Sequence, residues 1–216
     1  MPTPLRITLA FLLFVAFLPL HANATQFSDV PDSYRYKSAI LWLNQHNIAN
    51  GYSDGTFRPS DPINRAEFVK IVLNATKQSE TYAAPQTPCA SSLDAVGFPD
   101  VHASDWFASY VCTASAIGFI QSYPDGTFNA GRLVSFAEAA KMVVIATGNT
   151  PSSVSTPWYQ AYVDALRRTD PNHPPVFAPD HPGEGAIPAS IHSMDQQVTR
   201  GEMAEILYRM YYDVAG

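Results

Sequence analysis

The chain has 216 residues, 46% of them hydrophobic, with a formal net charge of −6. That is enough apolar material for the core of one or two domains. An acidic chain without a basic cluster speaks against nucleic acid and against anionic membrane surfaces as partners.

Residues 1–24 read as a signal peptide. Arg6 gives a short positive start, and residues 7–20 form an apolar run that is short for a membrane span and broken by Pro19. Ala22-Asn23-Ala24 is an A-x-A cleavage site, so the mature chain is expected to begin at Thr25 and to be secreted. Its two cysteines, Cys89 and Cys112, then meet an oxidising compartment and are expected to pair. Neither has a histidine placed to make it a nucleophile.

An internal repeat organises the rest. Repeat 1 covers 25–76, a linker rich in small and polar residues covers 77–97, repeat 2 covers 98–148 and repeat 3 covers 149–212. An offset of 71 maps Phe27-Ser28-Asp29-Val30 onto Phe98-Pro99-Asp100-Val101, and Tyr52-Ser53-Asp54-Gly55-Thr56-Phe57 onto Tyr123-Pro124-Asp125-Gly126-Thr127-Phe128. Repeat 3 starts near Trp158-Tyr159, which matches Trp106-Phe107. Its loop, 170–195, is longer and lacks the Asp-Gly turn.

Each repeat reads as helix, turn-bearing loop, helix. In repeat 1 the first helical stripe runs through Tyr36, Ala39, Ile40 and Leu43 and on to His46-Asn47-Ile48. In repeat 2 it holds Tyr110, Val111, Ala114, Ile117 and Phe119. In repeat 3 it holds Trp158, Tyr159, Tyr162, Val163 and Leu166. The second helices start at Asn64-Arg65-Ala66-Glu67, Ser135-Phe136-Ala137-Glu138 and Thr199-Arg200-Gly201-Glu202. Each is a good N-cap with Glu three residues on, the signature of a capping box. Hydrophobic staples are expected between Ile63 and Phe68 and between Val198 and Met203, with Ala139 giving repeat 2 a weaker one. Asn74-Ala75-Thr76 has the form of a glycosylation sequon, though three-residue matches often arise by chance.

Phe-x-Asp-Val, the aromatic-led first helix, the run from Gly51 to Pro59 and the Arg-Ala-Glu helix start together resemble the S-layer homology family. The resemblance is strong in repeats 1 and 2. In repeat 3 it rests on the helix start and the Trp-led helix. It implies a mainly all-α, pseudo-threefold bundle of three repeats with grooves between neighbours. It also implies a protein of the cell wall or cell surface that binds wall polysaccharide, often a secondary polymer carrying pyruvylated sugars.

On that reading Arg65 and Arg200, at helix starts where backbone N–H groups favour anions, would grip a carboxylate through two parallel hydrogen bonds. Tyr52, Tyr123 and Trp158 would lie against sugar faces. Glu67, Glu138 and Glu202 are open to two readings, capping or ligand contact, and so are Asp54 and Asp125, turn or ligand. Trp42, Phe57 and Phe128 read as core. Repeat 2 departs from the pattern, with Phe136 in place of arginine, and Arg132 is a poor positional substitute. Replacing either arginine is expected to weaken binding with little effect on melting, whereas Phe136→Ala is expected to act on stability.

No metal or cofactor is expected. His173, His181 and His192, with Asp170, Asp180, Glu184 and Asp195, match no compact ligand spacing. No catalytic residue is expected either. A glycosidase needs two carboxylates set around one bond, and the prominent acids here recur with the repeat. The alternatives to wall binding are an adaptor for another envelope protein and, behind it, a wall-glycan hydrolase.

Overall fold

The computed structural model describes residues 27–76, 97–148, 151, 156–166 and 193–211. The segment read above as a signal peptide, Cys89 and all of the repeat 3 loop before Ser193 lie outside them. Among the described residues there are six helices: α1 (Lys37–Gln45), α2 (Arg65–Thr76), α3 (Ala108–Ala116), α4 (Phe136–Ala146), α5 (Gln160–Leu166) and α6 (Arg200–Tyr211). The mainly all-α architecture expected from the repeat is what is found. None of these helices is long and apolar enough to cross a membrane.

The pairing of helices is between repeats. α1 packs on α6, α3 on α2 and α5 on α4, so each first helix covers the second helix of the repeat before it, and repeat 1 closes the ring onto repeat 3. The second helices are the centre. α2 touches both α4 and α6, and Phe68, Val69, Ala139, Ala140, Val143, Met203, Ala204 and Leu207 are buried among them. One helical pair could not bury such faces alone.

The residues just before the three N-caps hold the ring at its axis. Ile63 N–H donates to Val198 O at 2.9 Å, Val198 N–H to Val134 O at 2.8 Å, and Val134 N–H to Ile63 O at 3.1 Å. Three isolated antiparallel bridges, Pro62 to Thr199, Asn64 to Leu133 and Ser135 to Gln197, surround that cycle. All three apolar residues are buried, so the backbone groups beside them need partners, and only the neighbouring repeats can supply them.

The first helices stop earlier than their apolar stripes suggest. Asn47 takes φ 56° and Gly118 φ 78°, left-handed conformations that end α1 and α3. Ile48 N–H then closes on Leu43 O at 2.8 Å and Phe119 N–H on Ala114 O at 3.1 Å. His46-Asn47-Ile48, Ile117 and Phe119 are therefore capping segments that fold Ile48 and Phe119 back into the core. Trp158 and Tyr159 likewise precede α5. The sequon lies within the last turn of α2, with Thr76 buried and Asn74 donating to Ile48 O at 3.2 Å.

Cys112 is buried on α3, and among the described residues there is no free cysteine. The pairing with Cys89 remains a proposal, taken up below.

Candidate functional site

The repeated turn is held by the acid of Phe-x-Asp-Val. Asp29 Oδ1 accepts from Phe57 N–H at 2.8 Å and Oδ2 from Arg58 N–H at 2.7 Å. Asp100 does the same for Phe128 and Asn129, at 2.8 and 2.7 Å. One carboxylate thus fixes two successive amides some 28 residues away, and charge-assisted bonds of this kind are stronger than neutral ones. The turn is closed by Asp54, whose Oδ1 accepts from Thr56 N–H at 3.0 Å and Thr56 Oγ1 at 2.6 Å, and by Asp125 with Thr127 in the same way. Asp54 also pairs with Arg58 at 2.8 Å. These contacts, led by the Thr56 hydroxyl, hold the Asp54 carboxyl down to about 2, and the Thr127 amide and hydroxyl lower Asp125. Both acids are occupied by their turns, and Asp54 is not among the residues lining the groove described next.

The turn presents Tyr52 and Phe57 to the helix start of another repeat. Arg200, on α6, enters beside the repeat 1 loop. Its Nε donates to Phe57 O at 2.9 Å and its Nη2 to Asn50 O at 3.4 Å, while its Cζ lies 4.8 Å from the ring centres of both Tyr52 and Phe57. Its Nη1 stands 3.9 Å from Glu67 Oε2. Tyr52 is covered on top by Arg58, with Cζ at 4.0 Å from the ring centre. Lys70, one turn beyond Glu67 on α2, lies 5.5 Å from the ring centre of Trp106, which belongs to repeat 2. Arg200, Tyr52, Glu67, Lys70 and Trp106 line a cavity of about 380 Å³ together with Gly51, Asn74 and Ile71. Trp106 is 56% exposed at its rim. Three repeats thus contribute to one groove.

The constellation recurs one repeat on. Arg65, on α2, donates through Nη2 to Gln121 O at 2.8 Å and lies over Tyr123 at 4.8 Å and Phe128 at 5.2 Å. Tyr123 donates to Glu138 Oε1 at 2.9 Å. Lys141 Nζ reaches Gln121 Oε1 at 3.1 Å and stands 5.8 Å from the centre of Trp158, which is 49% exposed. Arg132 covers Tyr123 at 4.5 Å and approaches Glu138 at 3.6 Å. Though its sequence position fits poorly, its side chain does join this second groove. Burial lowers the pKa of Arg65, and burial followed by the charge of Arg65 lowers that of Lys141. The first groove sets Arg200 and Lys70 against Glu67, and the second sets Arg65, Lys141 and Arg132 against Glu138, in a chain that is acidic as a whole. That favours a ligand carrying negative charge.

Three expectations need correction. The helix-start amides are not available to an anion. Arg65 and Ala66 N–H donate to Arg132 and Ala130 O, Phe136 and Ala137 to Gln196 and Met194 O, and Arg200 and Gly201 to Asp61 and Pro59 O. The third amide of each helix is taken by the cap side chain, Asn64, Ser135 or Thr199. Any grip on an anion therefore comes from side chains. The capping box is also incomplete in repeat 1. Ser135 with Glu138 and Thr199 with Glu202 bond reciprocally. Asn64 accepts from Glu67 N–H, but the Glu67 carboxylate turns to Arg200 in place of returning the bond. Glu67 thereby belongs to the groove, whereas Glu202 is buried in its cap. Both arginines are more than nine-tenths buried. Their removal will thus cost stability as well, contrary to the expectation from sequence.

Lys70, Lys141 and Trp106 were missed as site residues. The signal was present. The lysines stand three places after the repeat glutamates, and Trp106 is the counterpart of Trp158.

These features define a repeat protein whose grooves are shared across repeats. The S-layer homology domain matches residues 26–69 and 97–140, so the chain carries repeats of that family. It is 26% identical over 121 residues to Cell surface glycoprotein 1 of Acetivibrio thermocellus, covering 56% of this chain and 5% of the relative. It is 29% identical over 143 residues to a Surface layer protein of Brevibacillus choshinensis, covering 66% and 12%. It is 29% identical over 121 residues to a Cellulosome-anchoring protein of Acetivibrio thermocellus, covering 56% and 26%. The chain thus spans about a quarter or less of these relatives. S-layer homology repeats are surface-anchoring modules, and they mark this chain as a secreted protein of the cell surface or wall.

Proposed function

We propose that this chain holds to the cell wall by binding an acidic polysaccharide in the two arginine-bearing grooves, with no chemistry performed on the glycan. The observation that carries this reading is the repeated set of one buried arginine, one lysine, one tyrosine and one exposed tryptophan, drawn each time from three repeats. A sugar bearing a ketal-linked pyruvate has the matching parts. Its carboxylate meets the lysine and the arginine edge, and its ring meets the indole face. The name of the cellulosome-anchoring relative agrees with attachment, and the glycan itself is read from the groove chemistry.

Co-sedimentation with purified wall tests this. The protein should pellet with intact wall and stay in solution once the secondary polymer has been extracted. Undiminished pelleting with polymer-free wall would refute the reading. Pelleting that depends on a wall protein would favour the adaptor in its place.

A further inference from the structure

The pseudo-threefold ring offers three equivalent positions between repeats, and the third has different chemistry. Where grooves one and two have Arg200 and Arg65, the third has Phe136, fully buried on α4. Where they have Lys70 and Lys141, three residues after the repeat glutamate, it has Glu205. Where they have Trp106 and Trp158, each directly before an aromatic residue, it has Arg35 before Tyr36. The cation reappears one turn further along α6 as Arg209, whose counterpart in the first groove is Asn74. Arg209 Nε lies 2.5 Å from Glu205 Oε1, and both residues are buried. Burial raises the Glu205 carboxyl, and Arg209 and Arg35 oppose that.

Glu205 is paired with Arg209 of the same helix, and the charge of Arg35 acts on the same carboxyl, so among the described residues the cations of this position are already spent on the chain's own acid. Nor does an exposed indole stand at the rim, since Arg35 takes that place and lies over Tyr36 at 4.8 Å. What the position does is join α6 to α1, the contact that closes the ring. Its ion pair is internal to α6, Glu205 and Arg209 standing four residues apart, so the helix carries no net charge where grooves one and two hold a lysine.

We propose that the chain binds two acidic sugars, not three, and that its third position has been converted from a ligand groove into a buried ion pair within α6. This rests on the wall-binding reading above. The three tryptophans of the chain report separately on the three positions. Trp106 and Trp158 stand at the rims of the two grooves. Trp42 lies in α1 against Tyr208 of α6, with ring centres 5.6 Å apart, at the third.

The experiment is a titration of the indole-15N-labelled protein with a methyl hexoside carrying a 4,6-linked pyruvate ketal, followed by NMR and, for the count, by native mass spectrometry. The expected result is saturation at two sugars per chain, with the Trp106 and Trp158 indole signals moving and the Trp42 signal fixed. Lys70→Gln should remove the Trp106 response and one bound sugar. Lys141→Gln should do so for Trp158, and the indole spectrum itself reports whether each variant is folded. Saturation at one or three sugars, or a Trp42 response in step with the others, overturns the inference alone. No response from any indole, with no sugar bound, overturns both it and the acidic-sugar reading.

Discussion

Arg200→Ala separates a structural clamp from a surface charge. The guanidinium is buried, donates to Phe57 O at 2.9 Å and to Asn50 O at 3.4 Å, and stacks on two rings. A hydrogen bond from a charged donor contributes about 1.5–3 kcal/mol. Stacking of the cation on a desolvated ring adds about 1 kcal/mol. Returning the guanidinium to solvent in the unfolded chain offsets part of both, leaving a net loss of about 2 kcal/mol. For a domain of this size that lowers Tm by about 4–8 °C. Circular dichroism melting of the variant beside the parent measures it, and wall sedimentation at a temperature where both are folded measures the loss of binding. A variant that melts within a degree of the parent would refute the claim that Arg200 ties repeat 3 to the repeat 1 loop. A destabilised variant with full wall binding would instead remove Arg200 from the ligand contacts.

Phe136→Ala should cost about 3–5 kcal/mol in denaturant unfolding, as for other buried aromatics, while the folded fraction binds wall normally. In Gly51→Ala the new Cβ would lie 2.3 Å from Phe27 Cε1 and 2.5 Å from Thr56 O, so the loop must shift. A stability loss of about 1–3 kcal/mol is expected there, while Ser122→Ala at the equivalent place in repeat 2 should be near neutral. Asp54 is held down to about 2 from an ordinary value of 3.8, so its contribution to stability is present above that ordinary value and is lost as pH falls from 3.8 towards 2. The stability gap between parent and Asp54→Asn should accordingly close over that window in acid titrations followed by tryptophan fluorescence. Finally, Cys112 is proposed to pair with Cys89. Mass spectrometry of the exported, unreduced protein should find one bridge, and two alkylatable thiols would end that proposal.

What was legible in the sequence was local. The caps at Ser135 and Thr199 need only residues three apart, and both formed their boxes. The Asp54 and Asp125 turns are equally short-range. The exchange of helices between repeats was not legible, because an amphipathic stripe says which face is buried and not by what. Phe-x-Asp-Val showed itself as a repeated motif, yet its purpose lies at Phe57 and Phe128, far along the chain, and only folding brings them together. The end of α1 was misplaced because Ile48 keeps the apolar spacing after Asn47 has already turned the backbone. At the site, Arg65 and Arg200 were found through the resemblance, but their burial was not foreseen, since the carbonyls that accept from them belong to other repeats.

The central claim is that an acidic sugar is gripped by side-chain cations in the two grooves. The most direct measurement is the affinity of the parent protein for purified secondary wall polymer, before and after mild acid strips its pyruvate ketals. Strong binding to the native polymer, with loss on ketal removal, is the result this account predicts. Equal affinity for the two polymers would contradict it.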